Sequence, residues 1–228
     1  MPEKTLFQIG SRSAIIGGIL ALVVNLLHPR ALPGAHPEAY LEEVAGYTIW
    51  VPDHLGIFFA IVLVVGGLLA ISRSITAGAG AVWARLGRAT AVVGVALVGV
   101  FAAIDGIAMK QIVDAWASAQ AGEKEIAFRV AMAFFAVNAG VFSVVIMEYF
   151  GLNFVLYGLA VLGSTVYPRW LGWVALLAGI GAFAVGLIQG LSGPTPATFG
   201  LFTAFAIPLT LWVIAMGVLL GRKASGAV

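Results

Sequence analysis

The sequence predicts an all-α polytopic membrane protein: one domain over residues 1–228, built as a bundle of six transmembrane helices. Two observations predict it. Hydrophobic residues make up 61% of the chain and charged residues 10%, with mean hydropathy +1.06, more apolar surface than a soluble domain of this length carries. Apolar runs long enough to cross about 30 Å of hydrocarbon recur from end to end. In such a solvent an ionisable side chain is costly, so the few present mark candidate sites.

The first span is expected over residues 13–28, ended by Pro29. Lys4 and Arg12 precede it, as in a secretory signal, but no A-x-A cleavage pattern follows, and it reads as an uncleaved span. The second is expected over residues 53–71, entered through Pro52, since proline is tolerated in a first helical turn. The third starts near Gly87 and stays apolar to Ile104. The fifth covers residues 170–191 and the sixth residues 198–220.

The fourth span is the ambiguous one. Residues 126–167 contain no proline. One helix of that length would measure about 63 Å, twice the hydrocarbon thickness. Either it is a single long helix, or Gly151 and Asn153 divide it. Basic residues favour the single helix. With six spans, Lys4, Arg12, Arg73, Arg85, Arg88, Arg169, Arg222 and Lys223 share the side of both termini. Only Arg30, Lys110, Lys124 and Arg129 lie opposite. Positive residues mark the cytoplasm, which places the chain in the plasma (inner) membrane with N- and C-termini cytoplasmic.

Beyond Ile104 a helical apolar stripe continues through Ile107, Ala108, Ile112, Ala115, Trp116 and Ala119. A turn at Gly122 would return the chain into the fourth span, so these two form a long hairpin overhanging the outer side. The loop over residues 29–51 also has content. His36-Pro37-Glu38 reads as a helix start. Tyr40, Leu41, Val44 and Thr48 share a face, which suits a short interfacial helix. Tyr40, Tyr47 and Trp50 suit the headgroup level.

The out-of-place residues are His28, His54, Asp105 and Glu148. The counts from Arg12 to His28, Arg73 to His54, Arg88 to Asp105 and Arg169 to Glu148 are 16 to 21 residues, about 24–32 Å at 1.5 Å per residue. Four spans thus place an ionisable group at similar depth, with Asn25, Asp53 and Gln189 within reach. The plain reading is that helix ends meet water, with Asp53 a cap and His28 ending its helix. The functional reading is one shared pocket under the outer loop, roofed by Tyr47 and Trp50. Its imidazoles and carboxylates suit a divalent transition metal. The two histidines as axial haem ligands are a further option, although there is no CxxCH motif. A substrate or proton site without metal is the third. Asn138 and Ser143 read as interhelical hydrogen bonds.

Other classes lack support. A net charge of +2 without a basic stripe gives no nucleic-acid footprint. The absence of cysteine excludes disulfides, thiolate metal sites and thiol catalysis. There is no GxGxxG, P-loop or GxSxG motif. Gly94 and Gly99 face nearly the same way, and Gly186/Gly190 and Gly217/Gly221 have GxxxG spacing. They suit close packing in one bundle or a homo- or hetero-oligomer face.

Phe150-Gly151-Leu152-Asn153, Tyr157-Gly158 and Tyr167-Pro168-Arg169-Trp170-Leu171-Gly172-Trp173 resemble an uncharacterised family of small bacterial six- or seven-span membrane proteins, over about residues 140–190. That family often has His where this chain has Asn153. The resemblance implies the architecture and a bacterial membrane, and no reaction. Three functional classes stay open. One is a pocket for a metal, substrate, lipid or small apolar ligand near the outer leaflet, catalytic or not. The second is an accessory subunit of a larger complex, and the third a transporter with a midplane site.

Overall fold

The apolar runs do form helices, and several are longer than the runs that mark them. The computed structural model describes residues 2–29 and 36–226. Residues 30–35, which include Arg30, lie outside the described residues. The helices are α1 (Pro2–Leu27), α2 (Pro37–Gly46), α3 (Trp50–Ser74), α4 (Gly78–Phe101), α5 (Met109–Ser118), α6 (Lys124–Val145), α7 (Asn153–Leu162), α8 (Arg169–Ser192) and α9 (Pro196–Ser225). Two π-helical segments, Ala102–Ala108 and Ile146–Leu152, join α4 to α5 and α6 to α7 without a break. Six stretches are long and apolar enough to cross a membrane, the third being Gly78–Ser118 and the fourth Lys124–Leu162.

The fourth span is therefore one continuous helical stretch, as the basic residues favoured, and a π segment ending at Leu152 lies where Gly151 and Asn153 would have divided it. The first helix begins at Pro2, well before the apolar run, because the residues between Pro2 and Ser13 include no further proline.

Small residues set how closely the helices pack. A Cβ at Gly17 of α1 would lie 2.7 Å from the Val64 backbone nitrogen of α3, and one at Gly217 of α9 would lie 2.9 Å from Ala14 Cβ. α1 is thus wedged between α3 and α9. The Gly217–Ala14 contact also puts both chain termini at one end of the bundle. α7 and α8 meet in the same way, with a Cβ at Gly158 falling 2.6 Å from the Leu176 nitrogen. Both GxxxG pairs face the chain's own helices: Gly186 lies against Met147, Gly190 against Ser143, and Gly217 and Gly221 against α1. Gly186 and Gly217 are thus used in close packing within the chain, while Gly190 is exposed.

At the opposite end, α5 and the start of α6 form the overhanging hairpin. α2 has Pro37 in its first turn and buries Tyr40, Leu41 and Val44. These three pack with Trp50, Met109, Val113, Trp116 and Ala131. The helix read as interfacial therefore lays its apolar face on the hairpin, not on lipid. Tyr40 meets Phe135 edge-on at 5.3 Å between ring centroids. The basic turn at Tyr167-Pro168-Arg169 is tied down at the other end: the Tyr167 hydroxyl lies 2.6 Å from Ser74 Oγ, and the Trp212 indole donates to Leu171 O.

Candidate functional site

His28 follows the last residue of α1, and His54 lies in the first turns of α3. Asp105 sits in the π segment after α4, and that segment determines what surrounds it. In an α-helix the Met109 N–H would bond Asp105 O. Here it reaches five residues back, to Ile104 O. The released Asp105 carbonyl accepts the Trp50 indole N–H at 2.8 Å. Trp50 in turn lies 4.6 Å from the His54 ring and 5.6 Å from the His28 ring, centroid to centroid.

The side chains meet closely. His28 Nε2 is 3.2 Å from His54 Nε2, which is 3.0 Å from Asp105 Oδ2. Asp105 Oδ1 accepts from Asn138 Nδ2 of α6 at 2.7 Å. These four side chains come from four different segments of chain. His54 and Asp105 are buried and His28 is half-buried.

The hydrogen-bond chemistry of the rings is decisive. His54 Nδ1 faces Trp50 O at 2.8 Å, and His28 Nδ1 faces Pro29 O. A carbonyl oxygen only accepts, so both Nδ1 atoms carry the proton. In neutral rings both Nε2 atoms then present lone pairs. Two nitrogen lone pairs and a carboxylate oxygen converge with no hydrogen between them. Such a grouping is stable around a cation: either a proton on His54, making the ion pair with Asp105, or a metal ion. A ligating histidine that donates its other N–H to a backbone carbonyl is the usual second shell of a metal site. Burial, and next the neighbouring His54, hold His28 below the ordinary histidine range.

Two ring nitrogens bound at roughly 2.0–2.1 Å to a tetrahedral ion stand about 3.3 Å apart. The histidines already have that spacing, and all three donor atoms lie within 4.8 Å of one another. A porphyrin, by contrast, does not fit between two imidazoles whose centroids are 4.8 Å apart, so these histidines cannot be its axial ligands.

Glu148 stands apart from this group. Its carboxylate lies beside Gly94, where a Cβ would fall 2.7 Å from Oε2, and both its oxygens are buried without a hydrogen-bond partner among the described residues. The reason is a miscount of depth. Arg169 begins α8, across a loop from the end of α7 at Leu162. Measured from Leu162, Glu148 is about 21 Å up the helix, whereas Asn138 is about 36 Å up, level with Asp105. Asp53 is buried in the first turn of α3, also without a hydrogen-bond partner among the described residues, and its side chain makes no cap. Tyr47 donates to Leu27 O and meets Trp50 edge-on, and it is not among the residues lining the cavity below.

Below the cluster lies a cavity of about 240 Å³. His28, Asp105, Asn138 and Trp50 line its upper end, with Asn25 and Gln189 on its walls. Asn25 bonds back to Ala21 O, and Gln189 donates to Ser143 Oγ. The rest is apolar, including Ile61, Val98, Phe142, Phe202 and Ala206. Asn138 Oδ1 is buried at the upper end with no partner among the described residues. Asn138 is the site residue that the depth count overlooked; its signal was a lone amide in an apolar run.

Residues 54–221 match the family model described as Domain of unknown function (DUF4386). The chain belongs to the DUF4386 family. The match extends well beyond the 140–190 stretch that carried the resemblance. It opens at His54 and takes in Asp105 and Asn138, while His28 and Trp50 precede the part shared with DUF4386. No curated protein and no solved structure matches the chain.

Proposed function

We propose that this DUF4386 protein binds a divalent transition metal at His28, His54 and Asp105 and presents an open coordination position to the cavity below. The observation that carries this reading is the convergence of three lone-pair donors whose tautomers are set by backbone carbonyls. Two imidazoles and a carboxylate form the donor set of zinc sites that keep a water ligand, and of non-haem iron sites with open positions. Asn138 would orient the carboxylate through Nδ2, and its unpartnered Oδ1 would accept a hydrogen from whatever binds the ion.

The position of the cluster favours a binding pocket over a transport site. It lies where α1 ends and α3 begins, at one end of the spans, while transporter sites lie near the midplane. The excess of basic residues at the end carrying both termini supports placing that end in the cytoplasm. The pocket would then belong to the outer leaflet of the plasma membrane.

Cobalt(II) titration tests the metal. Protein purified in detergent, stripped with chelator and dialysed, should take up one Co²⁺ per chain with visible ligand-field bands. Zinc should erase those bands, and His54→Ala should lose them. Absence of saturable uptake, or uptake untouched by His54→Ala, would overturn the proposal and leave His54 as a proton-bearing partner of Asp105.

A further inference from the structure

The cavity raises a question the metal alone does not answer, namely what fills an apolar space that begins at a polar cluster. We infer that it takes one acyl chain of a membrane lipid, admitted sideways from the bilayer between α1 and α9.

The route is visible in how these helices part. They touch at Gly18, where a Cβ would fall 2.5 Å from Ile214 and 3.6 Å from Thr210 O. Beyond that crossing, toward His28, both helices line the cavity instead of each other, α1 through Leu22 and Leu26 and α9 through Thr203 and Ile207. These walls also face outward: Leu26 is 74% exposed and Ile207 46% exposed. At the loop side α2 covers the cavity with Tyr40 and Val44, both buried. α2 thus stands over the loop side, and the side facing lipid is lined by exposed apolar residues.

Size and length select the occupant. At about 240 Å³ the space falls below the roughly 300–1,000 Å³ of drug-sized sites. That suits a single chain better than a whole lipid. Lining residues on α9 run from Phe199 to Thr210, eleven residues or about 16 Å of rise. Half of an approximately 30 Å hydrocarbon layer is the reach of one chain in one leaflet. Lipid would enter the cavity tail-first from the adjacent leaflet and leave its head group near Asn25, His28 and Glu43, which line the upper rim. The chain's place rests on the cavity alone; only contact between head group and metal rests on the preceding proposal.

Native mass spectrometry with a palmitoyl lysophospholipid as probe tests this. The wild-type protein should retain one molecule after its detergent is stripped in the gas phase. Ala206→Trp and, separately, Ala139→Phe add bulk to the cavity wall at positions that hold none of the cluster side chains. Each should cut the retained fraction roughly tenfold or more, the equivalent of 1.4 kcal/mol, while Co²⁺ uptake persists. His54→Ala should lose Co²⁺ and keep the lysolipid, so each reading can fail without the other. No lipid on the wild type, or equal retention by wild type and both filled variants, would overturn the inference.

Discussion

Asp105 shows what a single residue's surroundings can reveal and what the chain alone conceals. As a carboxylate in an apolar run it stood out at once, as did His28 and His54. Its partner Asn138 was legible only as an amide seeking a hydrogen bond across helices. The pairing itself depends on where the α6 backbone sits after the hairpin turn, which no periodicity reports. Glu148 stood out equally well and joined nothing, because its depth was counted through a loop as though it were helix. Asn138 also carries the first prediction. Replacing it by leucine leaves Asp105 Oδ1 buried and unpaired, a cost of about 1–3 kcal/mol. A lost outer-shell partner typically weakens metal binding about 10–100-fold. Asn138→Leu should therefore fold with a lowered melting temperature and shift the Co²⁺ titration midpoint by that factor. An unchanged midpoint would remove Asn138 from the site.

Among the elements, the π segments were the least foreseeable. A π turn adds one residue to a helix without changing its hydropathy pattern, so Ala102–Ala108 reads as ordinary apolar helix. Yet the shifted Met109 hydrogen bond releases the Asp105 carbonyl to Trp50. Deleting Ala103, a small exposed residue in that segment, should restore α-helical spacing and turn Asp105 by about 100° relative to α4. The expected result is a helical, membrane-inserted protein by circular dichroism that binds no Co²⁺. Retained binding would mean that the π segment does not position Asp105. α2 shows the opposite balance. Its start and the face through Tyr40, Leu41 and Val44 were legible, but Thr48 falls past its end at Gly46 and is exposed, and the surface it would cover was not legible. The hairpin of α5 and α6 offers Met109, Val113 and Trp116 at that height, and a protein surface satisfies the same apolar face that lipid would.

For the molecule as a whole, the six-span bundle followed from hydropathy, length and the distribution of arginine and lysine. The cavity did not, because it arises where α1 and α9 separate beyond Gly18, a matter of crossing geometry. The same arginines and lysines predict sidedness. The chain has no cysteine, so single substitutions report cleanly. Gly122→Cys at the hairpin tip should label from outside intact cells. Ser225→Cys should label only after permeabilisation. The reverse pattern would place the cluster at the inner leaflet.

The metal is the central claim, and anomalous diffraction from crystals grown with zinc tests it most directly. The account predicts one strong peak per chain, roughly 2.0–2.2 Å from His28 Nε2, His54 Nε2 and an Asp105 oxygen, with a further ligand on the cavity side. Ordered His28, His54 and Asp105 side chains with no anomalous peak between them would contradict it.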